Sequence, residues 1–335
     1  MATVQEDIAD IAEAVRDYGI TPVREPILEE ELPGGRRKTE ERVSWEERGP
    51  VIEVSSGNSA SIRYFVDGIQ RTRLIGTKYS LRYDVLVPVH LSIVGAIIIE
   101  HEAETYKPVV EPKIEVHVLV PSKKILDENF LKKCGHLVEE TQKKGKPGWE
   151  ILNLRRKAYI KSSDLRQKLE IELTEQLLKR KSFDDGLYLL IDGTIYPHNA
   201  VVRPDVIGLI KRHYESYLNP KDETQVFSMG LHKRSAIFSF KRRGGLLSRP
   251  AKIFSCYAKI RHEPADPLFG LIRLEFFEDT VKNVDLLCTA IFDLTDPLYM
   301  ASREWDTKVY PIHICERYLD SELPSMNVIG AILGW

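Results

Sequence analysis

The clearest apolar pattern in the chain is Leu187-Tyr-Leu-Leu-Ile191, an uncharged run that leads into Asp192-Gly193. Such a run, bounded by turn formers, predicts a strand buried on both faces. An earlier stretch has the same form, with Ile62-Arg-Tyr-Phe-Val66 leading into Asp67-Gly68. Residues 51–54, 72–75, 80–89 and 90–100 alternate or run apolar and are rich in Val, Ile and Tyr. They predict further strands, and strand following strand implies an antiparallel meander. Lys113 to Val120 alternates in the same way, and 253–261 and 268–277 read as two strands joined around His262-Glu-Pro-Ala-Asp-Pro267.

Helical spacing appears elsewhere. Ile8, Ile11, Ala12, Ala14, Val15 and Tyr18 predict an amphipathic helix over 5–19 that closes near Gly19. A charged connector follows to about residue 47 and contains Pro33-Gly-Gly-Arg-Arg37. Asn129 to Lys144 reads as helical. Leu165, Leu169, Leu173 and Leu177 form a stripe at spacing four, so a helix is expected from Leu165 to about Lys181, capped by Ser163-Asp164. Glu170, Glu172 and Glu175 lie around it. Asp205 to Leu218 is expected to be a second strong helix, carrying Val206, Ile207, Leu209, Ile210 and Lys211. Helices are also expected at 283–292 and 310–319. The organisation read from this is an N-terminal helix and polar connector over 1–50, then a main domain over 51–335 with an insertion at about 101–165.

Composition adds bounds. The chain has 335 residues, 43% hydrophobic and 29% charged, which is an ordinary globular balance with material for a sizeable core. A net charge of −2 gives no global basic signature, so nucleic-acid binding would need local patches. Four scattered cysteines with no CxxC pair exclude a zinc ribbon or disulfide framework and point to a reducing cytoplasm. The start is acidic without an apolar signal core, and the longest apolar stretch, Leu91 to Ile99, is too short to span a bilayer, so no membrane is expected. There is no GxxxxGK[ST], so any nucleotide-driven motor must be another protein.

Two buried strands that each deliver an Asp-Gly suggest chemistry. If the strands are neighbours, Asp67 and Asp192 converge. Two close carboxylates repel unless a cation lies between them, and hard oxygen ligands suit Mg²⁺ or Mn²⁺. The alternative is plain: Asp-Gly is also a hairpin-turn signal. The order of elements (antiparallel strands, a glutamate-bearing helix, a further Asp strand) is that of an α/β fold with an RNase H-like mixed sheet flanked by helices, here with an N-terminal helical arm and an inserted segment. In such a fold two ions roughly 3.5–4 Å apart can activate water and stabilise the leaving oxygen of a phosphodiester. Arg273 and Glu275 read as a pair within a strand.

In sequence order, Phe65-Val-Asp67-Gly68, the Leu165–Leu178 helix, Leu190-Ile-Asp192-Gly193, Gly208-Leu-Ile-Lys211, Ile272-Arg-Leu-Glu275 and Tyr310-Pro311 resemble the motifs of the NurA nuclease family. The resemblance spans about 51–330. It implies a metal-dependent deoxyribonuclease using Mn²⁺ or Mg²⁺ on DNA, in end resection and repair or in anti-phage defence. It also implies a homodimer or higher ring that works with a HerA-type hexameric ATPase. Transferred to this chain, Asp67, Asp192 and Glu170 become the metal ligands, with Glu172 and Glu175 as competitors for the third place. Lys211 is expected on the scissile phosphate or a carboxylate, and His313 near the metal as a proton handler. Lys233, Arg234, Lys241, Arg242 and Arg243 are expected to line a DNA channel. The other reading of the same motifs is a NurA-like scaffold that caps a translocase without cutting.

Overall fold

The computed structural model describes residues 2–23, 48–53, 61–81, 84–102, 105–142, 151–180, 187–193, 195, 206–211, 235–239, 253–261, 270–277, 284–295, 309–325 and 329–331. Its helices are α1 (Ala2–Asp17), α2 (Glu128–Cys134), α3 (Ile151–Arg180), α4 (Val284–Asp293) and α5 (Tyr310–Glu322). The strands are β1 (Thr21–Pro22), β2 (Arg48–Glu53), β3 (Ser61–Ser80), β4 (Val85–Glu102), β5 (Thr105–Pro108) and β6 (Lys113–Val120). They continue with β7 (Val138–Glu140), β8 (Leu187–Asp192), β9 (Val206–Lys211), β10 (Ser235–Ser239), β11 (Ile253–Lys259) and β12 (Leu271–Phe277).

All these strands join one mixed sheet in the order β2-β10-β11-β12-β9-β8-β3-β4-β6-β7, with β1 on β3 and β5 on β4. β3, β4 and β6 are successive antiparallel neighbours, and after α3 the chain returns as β8, parallel to β3. This is the expected succession of antiparallel strands, helix and parallel strand. β9 is parallel to β8, and β12, β11, β10 and β2 extend the sheet antiparallel.

Helices cover both faces. On one face Leu165, Leu169, Leu173 and Leu177 of α3 pack on Tyr64, Val66, Val94, Ala96, Ile98, Leu189 and Ile191. Each such leucine contributes about 1.5–3 kcal/mol by leaving water. On the other face Leu287 and Ile291 of α4 and Ile312, Cys315 and Leu319 of α5 pack on Phe65, Ile97, Leu190, Leu209 and Leu274. The far end of the β3–β4 hairpin has its own core, where Ile8, Ile11 and Val15 of α1 and Phe130 of α2 meet Ile75, Val87, Val89 and Val116.

Several elements differ from expectation, each for a local reason. The helix expected at 205–218 is a strand over Val206–Lys211. A short apolar run without polar interruption fits either a strand or a buried helix turn. Here Gly208 permits the strand, because a Cβ on it would meet the Gly193 carbonyl oxygen at 2.7 Å. α3 begins at Ile151, with Ser163 and Asp164 inside it rather than capping it. Leu154 and Ala158 continue its buried stripe, and Ser162 is satisfied by a 2.6 Å hydrogen bond between its Oγ and that of Ser92. The helix expected over 129–144 is confined to Glu128–Cys134 and gives way to a 3₁₀ turn and β7. The separate strands expected between 61 and 100 are two long ones, and β3 runs straight through Asp67-Gly68. Residues 101–165 supply β5, β6, α2, β7 and the first half of α3.

Candidate metal centre

β3 and β8 pair in parallel, with Phe65 opposite Leu190 and Val66 opposite Ile191. Asp67 and Asp192 therefore lie side by side, one residue beyond the last paired positions. The pleat decides where they point. Val66 and Ile191 belong to the α3 core, while Phe65 and Leu190 belong to the α4/α5 core. Alternation puts Asp67 and Asp192 on the second face, toward α5.

α5 is started by Pro311 in its first turn, where the missing N–H costs nothing. It is seated by Ile312, Cys315 and Leu319, and the Cys315 thiol donates to the Phe65 carbonyl oxygen at 3.8 Å. That contact brings the next residue, Glu316, onto the aspartate pair. Carboxylate oxygens of Asp67, Asp192 and Glu316 lie within 4.8 Å of one another. Asp67 is buried, and its Oδ1 accepts from the Gly68 N–H at 2.8 Å. His313, one turn before Glu316, brings Nδ1 to 3.4 Å from Glu316 Oε2.

The loop after Asp192 is tied to the strands beside it. Gly193 has φ +135° and donates its N–H to the Leu209 carbonyl oxygen at 2.7 Å. Glu275 on β12 accepts from the Ile195 N–H at 3.2 Å and from Arg273 Nη2 at 2.7 Å. The expected Arg273–Glu275 pair thus also anchors the turn that carries Asp192.

Glu170 stands apart from the three clustered carboxylates. It lies on α3, beneath Gly68, where Arg166 Nη1 donates to its Oε1 at 2.7 Å and to the Gly68 carbonyl oxygen at 3.1 Å. Burial pushes the Glu170 carboxyl up to about 7, with Arg166 pulling it down and Asp192 pushing it further up. Burial opposes the charge on Arg166, but Glu170, then Asp67 and Asp192, more than offset this and raise its pKa. The competitors Glu172 and Glu175 are engaged with lysines, Glu172 with Lys113 at 2.7 Å and Glu175 with Lys179 at 3.9 Å. Lys211 ends β9, its backbone paired with Ile272. Lys233, Arg234, Lys241, Arg242 and Arg243 lie outside the described residues.

Glu316 is the residue that sequence reading missed. Its signal was its place in a helix opened by Tyr310-Pro311, three residues after His313, which puts both on one helical face. The donor set fits a hard divalent cation. Three carboxylates this close carry mutual repulsion that such an ion relieves, and oxygen ligands are those that Mg²⁺ and Mn²⁺ take.

A family model, the NurA domain, matches residues 80–316, well over half of the chain. The chain belongs to the NurA family. That NurA match takes in Glu170, Asp192 and Glu316, while Asp67 lies ahead of it. Among solved structures, the chain is similar to the crystal structure of the NurA nuclease from Sulfolobus solfataricus, at 12% identity over 83% of this chain and 85% of that one, with a TM-score of 0.40. A likeness that loose places no residue. No curated protein matches the chain. Membership of the NurA family supports a nuclease role. No helix among the described residues is long and apolar enough to cross a membrane.

Proposed function

We propose that this NurA-family chain is a divalent-metal-dependent deoxyribonuclease whose ion is held by Asp67, Asp192 and Glu316. The observation that carries the reading is the convergence of these three carboxylates, within 4.8 Å, from two neighbouring parallel strands and a helix. When bound, Mn²⁺ or Mg²⁺ supplies an acidified water and positive charge for a phosphodiester. The protein's part is to fix the ligands. β3 and β8 hold the two aspartates in register, and Cys315 and the Pro311 start of α5 hold Glu316. His313, with Nδ1 toward Glu316, is placed to take or give a proton. Lys211 and the basic residues Lys233, Arg234, Lys241, Arg242 and Arg243 are proposed to bind the DNA backbone, which makes binding steeply salt-dependent. The partner proposed from the family resemblance is a HerA-type hexameric ATPase, with the nuclease as a homodimer or higher ring, in DNA repair or anti-phage defence.

The test is cleavage of linear DNA with Mn²⁺, with and without a HerA-type ATPase. Asp67→Asn and Asp192→Asn are expected to lower the rate on the order of 10³-fold or more with the fold retained. Cleavage by both variants at the wild-type rate overturns the assignment. Binding to the ATPase with no cleavage under any divalent ion leaves only a scaffold.

A further inference from the structure

Glu316 reaches Asp67 and Asp192 from a helix that is tied to β3 on both sides of it. Before it, the Cys315 thiol donates to the Phe65 carbonyl oxygen at 3.8 Å. Beyond it, Arg71 reaches across from β3. Its Nη2 donates to Asp320 Oδ1 at 2.7 Å and its Nη1 to the Pro324 carbonyl oxygen at 2.9 Å. The spacing matches on the two elements. Arg71 follows Asp67 on a stretch of β3 with regular register, where Asp67 pairs with Ile97 and Arg71 with Ile93, so alternation puts both on the α5 face. Ile69, between them, packs on the α4/α5 core. Asp320 lies one turn after Glu316 on the same side of α5. The Arg71–Asp320 contact is thus a second rung beside the carboxylate cluster, between the same strand and the same helix. Between the rungs, buried Leu319 lies over Gly95, the residue opposite Ile69, where an added Cβ would meet its Cδ2 at 3.4 Å.

We infer that Arg71 is a positioning residue for the metal centre: by holding Asp320 and the Pro324 carbonyl it fixes α5 along β3 and keeps Glu316 within reach of the ion. The inference rests on the proposed metal centre. Without an ion the three carboxylates repel one another. Asp67 and Asp192 are held by strand pairing on β4 and β9, so the carboxylate on the helix is the one that can retreat. The apolar contacts of Ile312 and Leu319 press α5 onto the sheet, but such burial has no direction of its own. Two hydrogen bonds from one planar guanidinium do fix a direction. Asp320 keeps 61% of its side chain exposed and Arg71 24%, so as an ion pair the contact is screened and adds little to stability. Its consequence is geometric. The backbones of Arg71 and Asp67 lie about 13 Å apart along the strand, beyond the screening length of about 8 Å at physiological salt. Arg71 therefore acts on the centre through α5 and not through its own charge.

The experiment is Mn²⁺ binding to the full-length chain by calorimetry, with circular dichroism and urea unfolding as checks on the fold. Arg71→Met and Asp320→Ala are each expected to weaken Mn²⁺ binding about tenfold, with the unfolding midpoint little changed. The shared sign is decisive, because charge alone would make loss of the cation tighten binding and loss of the anion weaken it. The double variant is expected to lose no more than either single one, since both break one contact. In a Glu316→Gln background, Asp320→Ala is expected to change Mn²⁺ affinity by less than about twofold, because the residue it positions no longer binds the ion. A further tenfold loss in that background overturns the inference, as does wild-type or tighter binding in folded Arg71→Met. If Arg71→Met does not fold, Asp320→Ala, at a mostly exposed site, decides by the same criteria. Glu316→Gln alone tells the two levels apart. If it binds Mn²⁺ as wild type does, Glu316 is no ligand, and the proposed centre fails with the inference. If it weakens binding while Arg71→Met and Asp320→Ala do not, the centre stands and the role of Arg71 alone is overturned.

Discussion

The chain uses the dipeptide Asp-Gly twice at its centre, and the two glycines do different work. Asp67-Gly68 lies inside a 20-residue strand, with neither residue at positive φ. Asp192-Gly193 closes a 6-residue strand, with Gly193 at φ +135°. A Cβ added at Gly68 would strike Glu170, the Gly95 carbonyl oxygen and Arg166 within 3 Å, whereas one added at Gly193 would meet nothing within 4 Å. The first glycine is there for space and the second for backbone conformation. Both leave an aspartate at the same level of two neighbouring central strands, so one local sequence brings the two carboxylates together by two routes.

Substitution separates the routes. Gly68→Ala is expected to have a large effect, a loss of about 3 kcal/mol in unfolding free energy, because backbone and a buried ion pair crowd the new methyl. Urea unfolding measures it, and a loss under about 1 kcal/mol would mean that α3 shifts freely and that space is not the constraint.

The buried acid beneath Gly68 gives an effect of comparable size. The folded carboxyl of Glu170 sits near 7 against an ordinary 4.5, so between those values the folded protein keeps a proton that the unfolded chain has lost. The sign follows: this contribution is fully present below about 4.5 and is lost as pH rises toward 7, at about 1.4 kcal/mol per pH unit. In EDTA, wild type should therefore lose stability relative to Glu170→Gln across that window. A parallel pair of stability curves would place the Glu170 pKa at its ordinary value.

Gly193→Ala is expected to cost less, about 1–2 kcal/mol, through backbone strain alone. Because nothing crowds the added Cβ, larger residues at 193 should cost no more than alanine does. A steep rise with side-chain size would show that the two glycines are alike after all.

The same contrast shows what the sequence made legible. The apolar runs before the two Asp-Gly pairs, and the leucine stripe of α3, gave strands, helix and sheet order, because a buried element repeats its period in its residues. Convergence of Asp67 and Asp192 followed from placing the strands side by side. Gly68 was read as the end of its strand, since a glycine needed for close approach looks the same in sequence as one needed for a turn. Val206–Lys211 was read as a helix because a central strand with both faces buried has no alternation to betray it. Glu316 escaped because what brings it to Asp67 and Asp192 is the seating of α5 on Phe65, a contact between residues 250 positions apart. Glu170 was visible as an acid on the right helix, but its engagement with Arg166 depends on where α3 crosses Gly68.

The most direct measurement is Mn²⁺ affinity by calorimetry for wild type, Asp67→Asn, Asp192→Asn and Glu316→Gln. If the three carboxylates share one ion, wild type binds Mn²⁺ and each substitution weakens binding tenfold or more, Glu316→Gln among them. Wild-type affinity in Glu316→Gln would remove α5 from the centre, and wild-type affinity in all three would contradict the metal site itself.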